Sequence, residues 1–232
     1  MKRTSLWSVA IAAVLIVIGG CSGSEPATQR GTAVGTGGAG ADVKGDGDFV
    51  QDVASKNMAE IELSRMALEK ATSREVKAFA QMMIDDHDAA ANKLKSVVEG
   101  QAIEWPGQSG DKHRETANDL AKKQGPEFER EYLKAMIEGH QDLAAKLETR
   151  LDVQSVAEWK TAAAGRAQST AMPDPKGQMA DVRVRSNKSD KEITSRINQW
   201  AAEIYPVAQK HLDTARALEN VISRTPSPGS RH

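Results

Sequence analysis

The chain has 232 residues, of which 27% are charged and 4% aromatic, and a formal net charge of −1. This length suits one sizeable domain plus tails. Charges of both signs are interspersed with no basic stripe, which excludes a nucleic-acid partner, and no stretch alternates apolar with polar long enough for a strand, so the composition is that of an all-α protein.

Lys2 and Arg3 precede an apolar run from Trp7 to Ile18, and Gly19-Gly20-Cys21 follows. A positive end, a short apolar core and small residues before a cleavage point are secretory features, and the run is too short for a comfortable membrane span. With the lone cysteine directly after Gly-Gly, the segment resembles a bacterial lipoprotein signal. The resemblance implies a signal peptide over residues 1–20, cleavage before Cys21 and lipid on its sulfur, anchoring the chain to a membrane in the cell envelope. Ser22 is not the aspartate associated with inner-membrane retention. In a Gram-negative cell the expected address is therefore the periplasmic face of the outer membrane. Residues 21–47, dominated by Ser, Gly, Thr and Ala, read as a flexible tether.

The bundle is expected over 48–222. Helix one should begin near Asp48, with Phe49, Val50, Val53 and Ala54 opening its apolar face and Glu60 beside that face. Ser73 is a good N-cap for helix two, which runs to about Glu99, with Gly100 suited to its C-terminal cap. A polar helical piece from about Asp111 to Lys123 follows, and Gly125-Pro126 starts helix three. The piece from Val153 to about Ser169 either continues that helix or forms another. Residues 170–190 are a surface loop, and Pro173, Pro175 and Gly177 forbid a helix there. Helix four runs from about Lys191 to Ile222, with Ile204 and Val207 in its stripe and Pro206 inside it, where a kink is expected. Residues 223–232 read as a disordered tail. Four long amphipathic helices make a four-helix bundle, and the long connection between helices two and three acts as a helical crossover that leaves them parallel.

Three helices share one seam. Ala80, Met83, His87, Ala91 and Leu94 match Leu133, Met136, His140, Ala144 and Leu147, and also Ile204, Val207, His211, Ala215 and Leu218. The steps of three and four residues describe one helical face, so three histidines stand where core leucines are expected. Inward-facing stripes bring Glu60, His87, His140 and His211 together from four helices. That set suits zinc, manganese or iron, and the thioethers of Met83 and Met136, one turn before two of the histidines, keep copper open. The alternative is a hydrogen-bonded polar layer, with Glu60 or Tyr132 as partner to a histidine. A diiron site is not supported. Such sites use Glu-x-x-His on two helices, whereas Ile84, Ile137 and Ala208 stand three residues before the histidines. Nucleophile elbows, phosphate loops and dinucleotide fingerprints are absent from the sequence.

Phe49-Val50, Ala59-Glu60-Ile61, Phe79-Ala80-x-x-Met83-Ile84-x-Asp86-His87, Tyr132-x-x-x-Met136-Ile137-x-x-His140-Gln141 and Pro206-x-x-x-x-His211-Leu212 resemble a bacterial envelope family. Its members carry a ferritin-like domain of unknown function and are often labelled exported or outer-membrane proteins. The resemblance covers about 48–151 and 193–222, and the stretch between is longer than the family's usual connection. It implies a ferritin-like four-helix bundle outside the cytoplasm and no settled activity. Two functional expectations follow. The first is a non-enzymatic envelope lipoprotein, an interaction or stress-related module with an envelope protein partner. The second is a metal-binding bundle for storage, buffering or redox work.

Overall fold

The computed structural model describes residues 38–167 and 183–224, with side chains from 45 to 165 and from 183 onward. The signal peptide, Cys21, the first part of the tether and most of the surface loop and tail lie outside the described residues. Among the described residues there are six helices and no strand: α1 (Gly38–Lys70), α2 (Arg74–Val97), α3 (Asp111–Ala121), α4 (Gly125–Glu148), α5 (Val153–Ala167) and α6 (Glu192–Arg224). None of these is long and apolar enough to cross a membrane.

Local signals account for most boundaries. The Ser73 hydroxyl accepts the Val76 N–H at 3.3 Å, the side-chain cap that starts α2. Gly100 turns the chain beyond α2 at φ 74°, a conformation that favours glycine. Pro126 sits in the first turn of α4. The α4–α5 break comes from Asp152, whose carboxylate accepts the Ser155 N–H at 2.8 Å, and from Leu151, which is fully buried and bridges to Ser186. α5 is thus a separate helix. α6 continues through Pro206.

Two expectations are corrected. α1 starts at Gly38, so residues 38–47 are helical rather than tether. The cause is tertiary: buried Asp46 is bonded by Arg150 and, at 2.6 Å, by the Thr194 hydroxyl, and the Arg150 guanidinium lies 4.4 Å from the centre of the Phe49 ring. The core face of α6 is also rotated. Tyr205 and Ala208 are buried, while Ile204 and Val207 are half-buried and line a cleft beside the histidines.

The apolar residues form two clusters. The first holds Phe49 and Val50 from the first half of α1, Leu94 from the end of α2, Leu147 from the end of α4, and Trp200 and Tyr205 from the first half of α6. The second holds Ala67 from α1, Phe79 and Met83 from the start of α2, Phe128, Tyr132 and Met136 from the start of α4, and Ala215 from α6. Hence α1 and α6 run one way and α2 and α4 the other. α2 and α4 are parallel, as expected. The chain regains the starting end through residues 98–124, where α3 packs on α1 and α4 and adds Ala117 and Leu120 to the second cluster. α1 and α6 each pack on both α2 and α4, which places α2 and α4 on one diagonal. Each fully buried large side chain contributes on the order of 2 kcal/mol from burial. Between the clusters, at one level, lie Glu60, His87, His140 and His211.

Candidate metal centre

All four residues singled out in the sequence meet in this layer. Glu60 is 4% exposed, His87 5%, His140 1% and His211 2%, so burial removes nearly all their contact with water. One nitrogen from each histidine lies within 4.8 Å of the others, and the ring centres are 5.3–5.5 Å apart.

The partners on the outer side of the rings are all hydrogen-bond acceptors. His140 Nδ1 faces the Met136 carbonyl at 3.0 Å, and Glu60 Oε1 lies 3.2 Å from the same nitrogen. His87 Nδ1 faces Asn57 Oδ1 at 2.9 Å, with Glu60 Oε2 at 3.4 Å. His211 Nε2 faces Asp86 Oδ2 at 2.9 Å. Each outer nitrogen therefore carries the proton, and in the neutral rings each inner nitrogen carries a lone pair. His140 Nε2 and His211 Nδ1 stand 3.2 Å apart. Two bare lone pairs at that distance repel, so either a metal ion sits with them or His140 is protonated and its Nε2–H donates to His211 Nδ1. Two nitrogens bound at tetrahedral angles to one zinc-sized ion lie about 3.3 Å apart.

Glu60 is placed otherwise than as an expected ligand. It stands against the outer nitrogens of His87 and His140, where it orients the rings, the usual position of a carboxylate behind metal-bound histidines. Neither of its buried oxygens makes an aligned hydrogen bond. Burial pushes the Glu60 carboxyl up, but the attraction of His140 and His87 outweighs it and holds the group at about 2. Burial lowers His87 to about 4 against the pull of Glu60. Burial likewise lowers His211, with Asp86 opposing. For His140 burial opposes the charge, yet Glu60 and the Met136 carbonyl together raise its pKa. Without metal, His140 is thus the ring that takes up a proton and pairs with the Glu60 carboxylate.

Room for Glu60 comes from Gly139. A Cβ on Gly139 would stand 2.5 Å from Glu60 Oε1. The matching position of α2 is Asp86, which serves His211 on the neighbouring α6 and not His87 beside it in sequence. Sequence reasoning gave Asp86 no part in the layer and missed Asn57, Gly139 and the Met136 carbonyl. Reading across helix pairs, rather than along one helix, could have found Asp86. Two other expectations change. The Tyr132 hydroxyl pairs with Ser64 at 2.9 Å and takes no part in the layer. Met83 and Met136 are fully buried in the second apolar cluster as space-filling side chains.

Fold and site together define a class: an all-α helical bundle with a buried histidine–carboxylate layer across its middle. The chain belongs to the family described as a domain of unknown function, DUF4142, whose model matches residues 32–172. The match spans α1 to α5, and α6 with His211 lies beyond it. No curated protein and no solved structure matches the chain.

Proposed function

We propose that the chain is an envelope lipoprotein whose ferritin-like four-helix bundle binds one divalent transition metal ion between His87, His140 and His211. The observation that carries this reading is the set of acceptors behind the three rings. Every ring faces an acceptor on its outer side, so the neutral rings turn their lone pairs toward one another. Zinc, manganese, iron and copper all accept three imidazoles with carboxylate support. The single long crossover between two parallel helices supports the ferritin-like reading. The sequence around Gly19-Gly20-Cys21 supports the lipid anchor, and Ser22 the outer-membrane address.

The Glu60–His140 ion pair favours a second reading, a structural polar layer in a non-enzymatic interaction or stress-related module. The two separate in one measurement. The full chain, purified in detergent and dialysed against zinc, manganese, ferrous or cupric ion, is expected to retain one ion and to melt at higher temperature, as ligand binding to the folded state requires. Changing His87, His140 and His211 together to Ala is expected to abolish both effects. A wild type with no stoichiometric metal and no thermal gain would leave the structural layer as the answer. The anchor has its own test: Cys21→Ala is expected to shift the protein from the membrane pellet to the soluble fraction. Continued pelleting would sink the lipid assignment.

A further inference from the structure

The three histidines line a cleft of about 30 Å³, shared with Asn57, Asp86, Ala90, Trp200, Ile204 and Val207. We infer that a metal ion in the histidine layer keeps one coordination position open into this cleft, and that the position takes a single small ligand, uncharged in preference to anionic. The inference rests on the metal reading given above.

Donor number comes first. The layer offers three nitrogens, and Glu60 stands behind the rings. Structural zinc sites close with four protein ligands, whereas sites that meet exogenous molecules keep three and leave the fourth position to water. Space comes second. The cleft touches all three histidines, and its volume holds one or two water-sized molecules. Most of its walls are apolar: Ala90, Ile204, Val207 and the Trp200 ring, whose Nε1–H is turned away to the Ala90 carbonyl at 3.2 Å. Ile204 and Val207, the half-buried residues of α6, stand on this wall. Charge comes third. Asp86 is 40% exposed by side chain while His211, which it contacts, is 2% exposed. A carboxylate therefore stands on the solvent side of the layer. Two carboxylates, Glu60 and Asp86, already balance a divalent ion, so an anionic ligand would bring excess negative charge into a buried place. A neutral diatomic molecule fits the volume, the walls and the charge.

The test uses the full chain loaded with ferrous ion under anaerobic conditions, with nitric oxide as the neutral probe and azide as the anionic one. Nitric oxide is expected to produce the half-integer-spin EPR signal of a ferrous nitrosyl, one per bound iron. Azide is expected to compete poorly. Ala90→Leu, which narrows the cleft and leaves every candidate ligand residue in the sequence, is expected to keep its iron and bind nitric oxide more weakly by about tenfold or more, the scale of one forced overlap. Stoichiometric iron with no nitrosyl signal overturns the open position and leaves the metal reading standing. An unchanged nitrosyl signal in Ala90→Leu overturns the role of the cleft, and azide that binds the iron no more tightly in Asp86→Asn than in the wild type overturns the charge preference. Failure to retain iron or any other divalent metal overturns the metal reading, and this inference with it.

Discussion

At the scale of single residues, the layer depends on small details on the outer side of the rings. Gly139 lies inside α4, where glycine costs about 1 kcal/mol relative to alanine, yet alanine there would drive a Cβ into Glu60 Oε1. The Glu60 carboxylate, which lies 3.2 Å from His140 Nδ1, must shift to make room. Gly139→Ala is therefore expected to destabilise the protein by about 1–3 kcal/mol, the usual range for overpacking. In a Glu60→Ala background the same change should be neutral or stabilising. Chemical denaturation of the four proteins in the cycle measures the coupling, and additive effects would refute the contact. The histidines themselves were legible in the sequence because they recur at one helical phase. Asp86, Asn57 and Gly139 were not, because their meaning lies in the neighbouring helix they face.

At the scale of elements, the turn between α1 and α2 is held from outside. Glu129 on α4 is 3% exposed, and its Oε1 accepts the Thr72 N–H at 2.5 Å, the Ser73 N–H at 2.7 Å and the Thr72 hydroxyl at 2.9 Å. One carboxylate thus satisfies the backbone donors of a turn that precedes a helix start. Glu129→Ala is expected to cost about 2–3 kcal/mol, because it strands those donors and removes charge-assisted bonds. Glu129→Gln keeps an acceptor oxygen and should recover part of the loss. Equal destabilisation by both variants in a urea titration would show that Glu129 acts through packing alone. Helix existence and phase were readable from apolar spacing and from Ser73, Gly100 and Pro126. The first turns of α1 were not, because glycine-rich composition hides a helix held by Arg150 and Thr194 far along the chain. Nor was the rotation of α6, since Tyr205 and Ile204 are both acceptable core residues.

At the scale of the whole molecule, the polar layer couples stability to pH in the metal-free protein. His87 is held at about 4 when folded, against an ordinary value of 6.5. Between those values the unfolded chain binds more protons, so His87 costs stability as pH falls through that window, by up to about 3 kcal/mol. Glu60, held at about 2, contributes stability that is present above its ordinary value of 4.5 and is lost as pH falls from there towards 2. The raised pKa of His140 works the other way, giving stability at low pH that is lost as pH rises through its folded value. Urea midpoints of the metal-free chain are expected to fall from pH 6.5 to pH 4, and His87→Gln should flatten that fall. An undiminished slope in the variant would place the pH dependence elsewhere in the molecule.

The near-identity of the α2 and α4 stripes poses a problem of handedness within the bundle. Two parallel helices with matching apolar faces, each flanked by α1 and α6, could trade places and bury almost the same surface. Within the polar layer, one position tells them apart. Beside the histidine of α2 stands Asp86, which meets the imidazole of α6. Beside the histidine of α4 stands Gly139, which meets the carboxylate of α1. Traded helices would press Asp86 against Glu60 and leave His211 without its acceptor. A pair of residues, aspartate facing histidine and absence facing glutamate, thus works as a key in the polar layer, beside the Glu129 and Tyr132 contacts that α4 alone makes.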